Sequence, residues 1–213
     1  MTRVARPTLK IDVLVVSDRW KKADQAKSIV RRAVTRAAAA TPSTAGTELA
    51  IVLTDDSAIR LLNRDWRGVD AATNVLSFPT KKAVGKPLEH LGDIVLAFET
   101  IAREARGERK PLAHHVAHLA VHGFLHLVGY DHENDKDATD MERAEREILR
   151  QLAIPDPYRA RARSKSRVTS RTTPGGGSAP RAKPARLATD RVATDRHAVR
   201  QSRNRRADRS PKS

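Results

Sequence analysis

Three histidines have the residue type and the spacing needed to hold one metal ion. His122 and His126 are four residues apart, so on a helix their Cβ atoms share one face at a separation of about 5–6 Å. His132 comes six residues later and would leave that face if the helix continued. Gly129 lies between them, and glycine adopts the left-handed conformation of a helix end without steric cost. The sequence therefore predicts a helix that ends near Gly129 and three imidazoles that meet at one cation.

The ligand set indicates which metal and which chemistry to expect. Three neutral imidazoles with an open fourth position are typical of catalytic zinc sites, and nitrogen ligands favour zinc over magnesium. We therefore predict one Zn²⁺ ion held by His122, His126 and His132. The metzincin proteases share this spacing in their pattern H-E-x-x-H-x-x-G-x-x-H. Gly123 stands where their catalytic glutamate would be, which argues against a peptidase that uses that carboxylate as general base.

For other polar residues around the motif, both functional and purely structural roles are possible. His118 and His115 precede His122 by one and two helical turns, and they either orient a ligand, contact substrate or have an ordinary structural role. Asp131 either accepts a hydrogen bond from a ligand imidazole or is only a turn residue beside Gly129. The spacing alone does not choose between these roles.

The elements that must position the histidines follow from hydrophobic periodicity and from helix-capping and turn residues. Strands are predicted at 9–16, 48–53, 73–78 and 92–98. Helices are predicted at 23–38, from a cap at 54–56 to about 66, and at 101–105, 111–128 and 140–153, the last with a capping box of Thr139 and Glu142. Strands and helices do not alternate strictly, so we predict an α+β fold. It would be one domain with a small mixed β-sheet packed against helices and a central, zincin-like metal-binding helix.

Charge divides the chain into two parts. The net charge is +16, but residues 159–213 hold 17 basic and three acidic side chains, which leaves residues 1–158 at only +2. Residues 1–158 are the predicted domain. Residues 159–213 contain few large apolar side chains and are predicted to be a disordered basic tail. The tail is either a solubilising appendage or a non-specific arm for phosphate backbones.

Composition also excludes several classes of protein. The chain has no cysteine, so disulfide frameworks and thiolate metal sites are excluded. The apolar run near the N-terminus is short and interrupted by Asp12, unlike a signal peptide, and no run approaches the length of about 20 apolar residues in a membrane span. We therefore expect a soluble, cytoplasmic protein without a membrane partner.

Three segments resemble the YbeY family of bacterial endoribonucleases and rRNA maturation factors. Residues 122–132 resemble the family signature H-G-x-L-H-L-x-G-Y-D-H. Residues 63–68, which lead to T-N-V-L-S-F-P at 73–79, are similar to the family stretch in which an arginine precedes T-[DN]-V-L-S-F-P. Residues 91–94 are similar to its L-G-D-[IL] strand start. The resemblance covers about residues 10–158, and the basic tail has no counterpart in the family's usual short C-terminus.

The resemblance implies a single-strand-specific, metal-dependent endoribonuclease. It implies action in maturation of the small-subunit rRNA 3′ end and in ribosome quality control. Its partners would be ribosomal RNA and the small ribosomal subunit, with a ribosomal protein or an assembly GTPase as a further candidate. Arg67 matches the family's functionally required arginine, so the expected catalytic set is Arg67, His122, His126 and His132.

Two other functions stay open at this point. One is a non-catalytic ribosome-assembly factor with a structural metal, and the other is a metal-dependent hydrolase of a small phosphoester. Within the nuclease hypothesis, a metal-bound hydroxide and the RNA 2′-hydroxyl both remain candidates for the attacking nucleophile.

Overall fold

The computed structural model describes residues 9–41, 44, 47–80 and 88–159. The predicted tail at 159–213 lies outside these residues except for Arg159. Among the described residues, no helix is long and apolar enough to cross a membrane. The elements in chain order are β1 (Lys10–Val15), α1 (Ala23–Ala39), β2 (Glu48–Thr54), α2 (Asp56–Arg67), β3 (Val75–Pro79), β4 (His90–Ala97), α3 (Phe98–Gly107), α4 (Leu112–Leu127) and α5 (Asp135–Gln151).

The four strands form one mixed sheet in the order β1-β2-β4-β3. Strands β1, β2 and β4 are parallel, and β3 is antiparallel to β4 at the edge. The register places Val13, Ile51, Ile94 and Ser77 in one row across the sheet. The prediction of an α+β fold with a small mixed sheet is confirmed.

Each face of the sheet is covered by a different set of helices. Because side chains alternate along a strand, Val75 joins the larger core while Leu76 and Phe78 join the smaller one. The larger core contains buried side chains of α1, α4 and α5. The smaller core is closed by Ile59 of α2, with Trp66 packed at its margin. Helices α2 and α4 therefore lie on opposite faces of the sheet.

Helix α4 is the central helix of the domain. It contacts α1, α3, α5 and strands β3 and β4, and every residue from His115 to Leu127 is buried. A helix that is enclosed on all sides can be apolar all round, and most of its residues are. Its histidines are therefore the exceptional polar groups of a buried helix.

The N-terminus of α5 differs from the sequence prediction. The helix starts at Asp135, where the side chain of Asn134 accepts a hydrogen bond of 2.9 Å from the backbone N–H of Asp137. The predicted capping box of Thr139 and Glu142 is therefore wrong, because Thr139 is already inside the helix and donates to the Asp135 carbonyl at 2.7 Å. Because the cap is at Asn134, α5 begins soon after His132 and is more than one turn longer at its N-terminus than predicted.

The junction of β4 and α3 also differs. The strand starts at His90, and the helix follows it directly at Phe98, whereas the sequence placed Phe98 in the strand and started the helix at 101. Phe98 packs partly buried against the larger core, with its ring 5.3 Å from that of Trp20. An aromatic residue at this junction fits either element, so composition could not fix the boundary.

Candidate metal centre

The end of α4 is built by backbone hydrogen bonds around Gly129. The Gly129 N–H donates to the carbonyl of His126 at 3.1 Å, and the Tyr130 N–H donates to that of Leu125 at 3.0 Å. These two bonds form a Schellman motif, and Gly129 takes the required positive φ of 96°. The chain reverses here, as the glycine predicted, and brings His132 back toward the helix.

The structure brings the three predicted ligands together. His122, His126 and His132 each offer one nitrogen, and these atoms lie within 4.8 Å of one another. The Nε2 atoms of His122 and His126 are 3.2 Å apart. The ring centre of His132 lies 5.6 Å from that of His122 and 5.0 Å from that of His126. The trio could hold one metal ion, and its all-nitrogen donor set suits zinc.

The environment keeps His126 in the form that binds metals. Burial disfavours its charged form, and the neighbouring imidazoles of His122 and His132 act in the same direction, which lowers the pKa of His126 to about 3. The ring is therefore neutral at physiological pH. Metal ligation requires a neutral imidazole with a free lone pair, so metal binding at His126 does not have to displace a proton at neutral pH.

Glu145, a buried residue of α5, forms a hydrogen bond with His122 on the side of the ring away from the other two histidines. The Nδ1–H of His122 donates to Oε1 of Glu145 at 2.6 Å, and His118 Nε2 lies 3.2 Å from Oε2. The hydroxyl of Tyr158 also donates to Oε2. Burial raises the pKa of Glu145, but His118 and His122 outweigh it and hold the pKa below its ordinary value.

Sequence reasoning missed Glu145, although a signal for it exists. Met141 and Leu149 lie one helical turn to either side of it, and both are buried in the core. A glutamate at this spacing is a charged residue on the apolar face of an amphipathic helix. Such a residue usually has a buried partner, but its partner lies on another helix and cannot be read from the local pattern.

The structure also shows the contacts of His115, His118 and Asp131, whose roles the sequence left open. His115 lies 2.8 Å from Glu104 Oε2 and His118 lies against Glu145, so each buried ring is paired with a carboxylate and neither belongs to the trio. Asp131 Oδ1 accepts a hydrogen bond of 2.7 Å from the backbone N–H of His132. This bond fits the reading of Asp131 as a turn residue.

Arg67 comes from a different element. It is the half-buried last residue of α2, before Gly68 with φ of 70°. The neighbouring Trp66 ring packs 5.9 Å from that of Phe78 on β3. Helix α4 approaches β3 from the opposite face of the sheet. A Cβ built on Gly92 would lie 2.9 Å from Cα of Pro79, the last residue of β3, and 3.0 Å from Cδ2 of Leu127, the last residue of α4. The C-terminal ends of β3 and α4 are therefore close to each other. Arg67 and the end of α4 therefore lie near one end of the edge strand, on opposite faces.

Gly123, which stands where the metzincin proteases have their glutamate, packs closely against the sheet. A Cβ at Gly123 would lie 2.9 Å from Ile94 Cγ2 and 3.1 Å from Ser77 Oγ. A side chain at this position would enter the contact between α4 and the sheet. Gly123 supplies no carboxylate for a peptidase general base, and any side chain at this position would have to displace its neighbours.

Comparison with known proteins gives consistent matches over the domain. The family model described as Endoribonuclease YbeY matches residues 15–153. An Endoribonuclease YbeY from Rhodopseudomonas palustris (strain BisB18) is 53% identical over 163 residues, covering 74% of this chain and 96% of the relative. The Endoribonuclease YbeY of Nitrobacter winogradskyi is 52% identical over 164 residues, covering 74% and 85%. A solution structure of TM1509 from Thermotoga maritima covers 78% of this chain and 99% of its own, with 22% identity and a TM-score of 0.44, and is too distant to bear on the site. The family match and the two close relatives show that the chain belongs to the Endoribonuclease YbeY family.

Proposed function

We propose that this protein is a metal-dependent, single-strand-specific endoribonuclease that processes ribosomal RNA, with Zn²⁺ as its metal. Its proposed roles are maturation of the small-subunit rRNA 3′ end and ribosome quality control in the cytoplasm. Family membership supports cleavage of RNA. The single observation that carries metal dependence is the convergence of His122, His126 and His132 within 4.8 Å.

The three imidazoles would hold the ion and leave a coordination position for substrate or water. A zinc ion in such a site polarises a phosphoryl oxygen and lowers the pKa of bound water. The chain itself supplies a neutral ligand, since burial keeps the His126 imidazole uncharged. It also orients a second ligand, since Glu145 accepts a hydrogen bond from Nδ1–H of His122. Hydrolysis then needs no side chain at position 123.

Arg67 is proposed as the group that stabilises negative charge on the reacting phosphate. Its guanidinium is always charged and its planar fork matches phosphate oxygens, and such charge stabilisation is a large contribution to catalysis. Arg67 ends α2 near the same end of β3 as the C-terminus of α4, but on the opposite face of the sheet. The assignment therefore rests on its match to the family's required arginine and on this chemistry.

Substrate delivery is proposed to involve more than the domain surface. Residues 1–158 have a net charge of only +2, which gives little non-specific attraction to an RNA backbone. Ribosomal RNA in the small subunit is the proposed substrate. A ribosomal protein or an assembly GTPase, or the +14 tail itself, would then bring the RNA to the site.

The test compares the full-length wild-type protein with His126→Ala and with His114→Ala as a matched control. His114 is half-buried on the same helix but outside the trio. Each protein is assayed for bound zinc and for cleavage of single-stranded and duplex RNA, with and without a chelator. We expect His126→Ala to lose both zinc and cleavage, and His114→Ala to keep both. Full cleavage without metal would refute the mechanism, and bound zinc without any cleavage would favour an assembly factor with a structural metal.

A further inference from the structure

Glu145 is a charged group in a place where an apolar side chain would be expected. The residue is fully buried, and Met141 and Leu149, one turn to either side, are core residues. Burial of a carboxylate is unfavourable unless hydrogen bonds and opposite charges compensate for the lost water. Replacement of buried ion pairs by apolar groups is often neutral or stabilising. Fold stability alone therefore does not explain this carboxylate.

The contact with His122 determines which nitrogen of that ring faces the other ligands. The ring donates its Nδ1 proton to Oε1 of Glu145 at 2.6 Å. A neutral imidazole carries a proton on only one nitrogen, so with that proton on Nδ1 the Nε2 atom of a neutral His122 ring keeps its lone pair. That atom lies 3.2 Å from Nε2 of His126, inside the trio. The hydrogen bond thus fixes both the tautomer and the direction of the ring.

The second oxygen of Glu145 is held in place from the other side. His118 Nε2 lies 3.2 Å from Oε2, and the hydroxyl of Tyr158 donates to the same atom. These contacts join α4, α5 and the segment after α5 at one carboxylate. They hold the carboxylate against rotation, so that Oε1 stays directed at His122.

We propose that Glu145 is the positioning residue of the metal centre, which holds His122 with Nε2 directed at the ion and so raises the affinity for the metal. Through their contacts with Oε2, His118 and Tyr158 keep the carboxylate in that orientation. This inference rests on the proposed metal site and adds to it a group that does not touch the metal. Carboxylates that orient a ligating histidine typically contribute 10–100-fold in metal affinity.

Glu104 provides a matched control within the same chain. Its Oε2 lies 2.8 Å from Nε2 of His115 on α4, and both of its oxygens lie within hydrogen-bond reach of Asn74 Nδ2. The pair repeats the carboxylate–imidazole chemistry on the same helix, but His115 is not in the ligand trio. Loss of Glu104 should therefore disturb a partly buried carboxylate–imidazole contact without changing the affinity for a metal.

The experiment measures Zn²⁺ affinity by competition with a chromophoric chelator for full-length wild type, Glu145→Gln and Glu104→Gln. The melting temperature of each metal-free protein is recorded beside it. We expect Glu145→Gln to bind Zn²⁺ about 10–100-fold more weakly and Glu104→Gln to bind as wild type does. A folded Glu145→Gln protein with wild-type affinity would overturn the inference and leave the proposed function intact. A wild-type protein that binds no Zn²⁺ would instead contradict the proposed function.

A second measurement uses the wild-type protein alone, so it tests the inference even if Glu145→Gln does not fold. The ¹⁵N chemical shifts of the His122 ring in the metal-free wild-type protein report which nitrogen is protonated. We expect the proton on Nδ1, as the contact with Glu145 requires. A neutral ring with its proton on Nε2 would overturn the inference whatever the variants show.

Discussion

The hydroxyl of Ser77 donates a hydrogen bond to the carbonyl oxygen of Gly123 at 3.1 Å. This bond joins edge strand β3 to α4 at the residue that follows His122, the first proposed metal ligand. Consecutive helix residues project about 100° apart, so with Gly123 against the sheet, His122 is turned away from it and toward Glu145 on α5. The close helix–sheet contact thereby sets the direction in which the ligands project.

Substitution of Gly123 tests that contact. In Gly123→Ala the new Cβ would lie 2.9 Å from Ile94 Cγ2, and overpacking of this kind typically costs about 1–3 kcal/mol. The higher helix propensity of alanine offsets about 1 kcal/mol of this cost, so we expect a net loss of up to about 2 kcal/mol in the free energy of unfolding, measured in urea. Gly107→Ala, at a helical glycine with nothing within 4 Å, should be neutral or slightly stabilising. Equal effects of the two substitutions would show that the contact is loose.

Substitution of Gly129 separates backbone strain from metal binding. Gly129 and Gly68 both have positive φ, 96° and 70°, and a Cβ at either meets nothing within 4 Å. Alanine at each should therefore cost about 1–2 kcal/mol of stability through its backbone alone. Only Gly129→Ala should also weaken Zn²⁺ binding, because this turn positions His132. The readouts are urea denaturation without metal and a Zn²⁺ titration, and unchanged Zn²⁺ affinity in a folded Gly129→Ala protein would contradict the assignment of the turn.

Sequence patterns predicted those parts of the candidate site whose residues are close together in the chain. The separation of His122 and His126 by one helical turn and the break at Gly129 lie within eight residues, so helix geometry was enough to predict that the candidate ligands meet. Glu145 reaches His122 from another helix, and such a contact depends on how α5 packs on α4. The start of α5 was predicted wrongly for a local reason. Thr139 with Glu142 satisfies the capping pattern, but Asn134 five residues earlier offers a competing cap and is the one that forms.

The acid sensitivity of the metal-free protein should depend on His126. Its pKa is about 3 in the folded protein against an ordinary 6.5, with burial as the main cause. Between these values the unfolded chain binds a proton that the folded protein does not, so stability is full above about pH 6.5 and falls as the pH drops toward 3. The loss from this one group reaches at most about 1.4 kcal/mol per pH unit. Urea denaturation at a series of pH values, with chelator present, should show a shallower dependence for His126→Asn than for wild type. Identical slopes would mean that His126 is solvated in solution.

The role of Arg67 is tested by comparing it with an arginine on the preceding turn. Removal of a group that stabilises charge in the transition state typically lowers kcat by about 10²–10³. We therefore expect Arg67→Ala to retain bound Zn²⁺ and its melting temperature but to lose most RNA cleavage. Arg64 is exposed and paired with the adjacent Asp65 at 2.9 Å, so Arg64→Ala should cleave RNA as wild type does. Retained cleavage in Arg67→Ala would remove the residue from the catalytic set. A lowered melting temperature together with lost activity would make it structural, because the helix end that packs Trp66 on Phe78 would then depend on it.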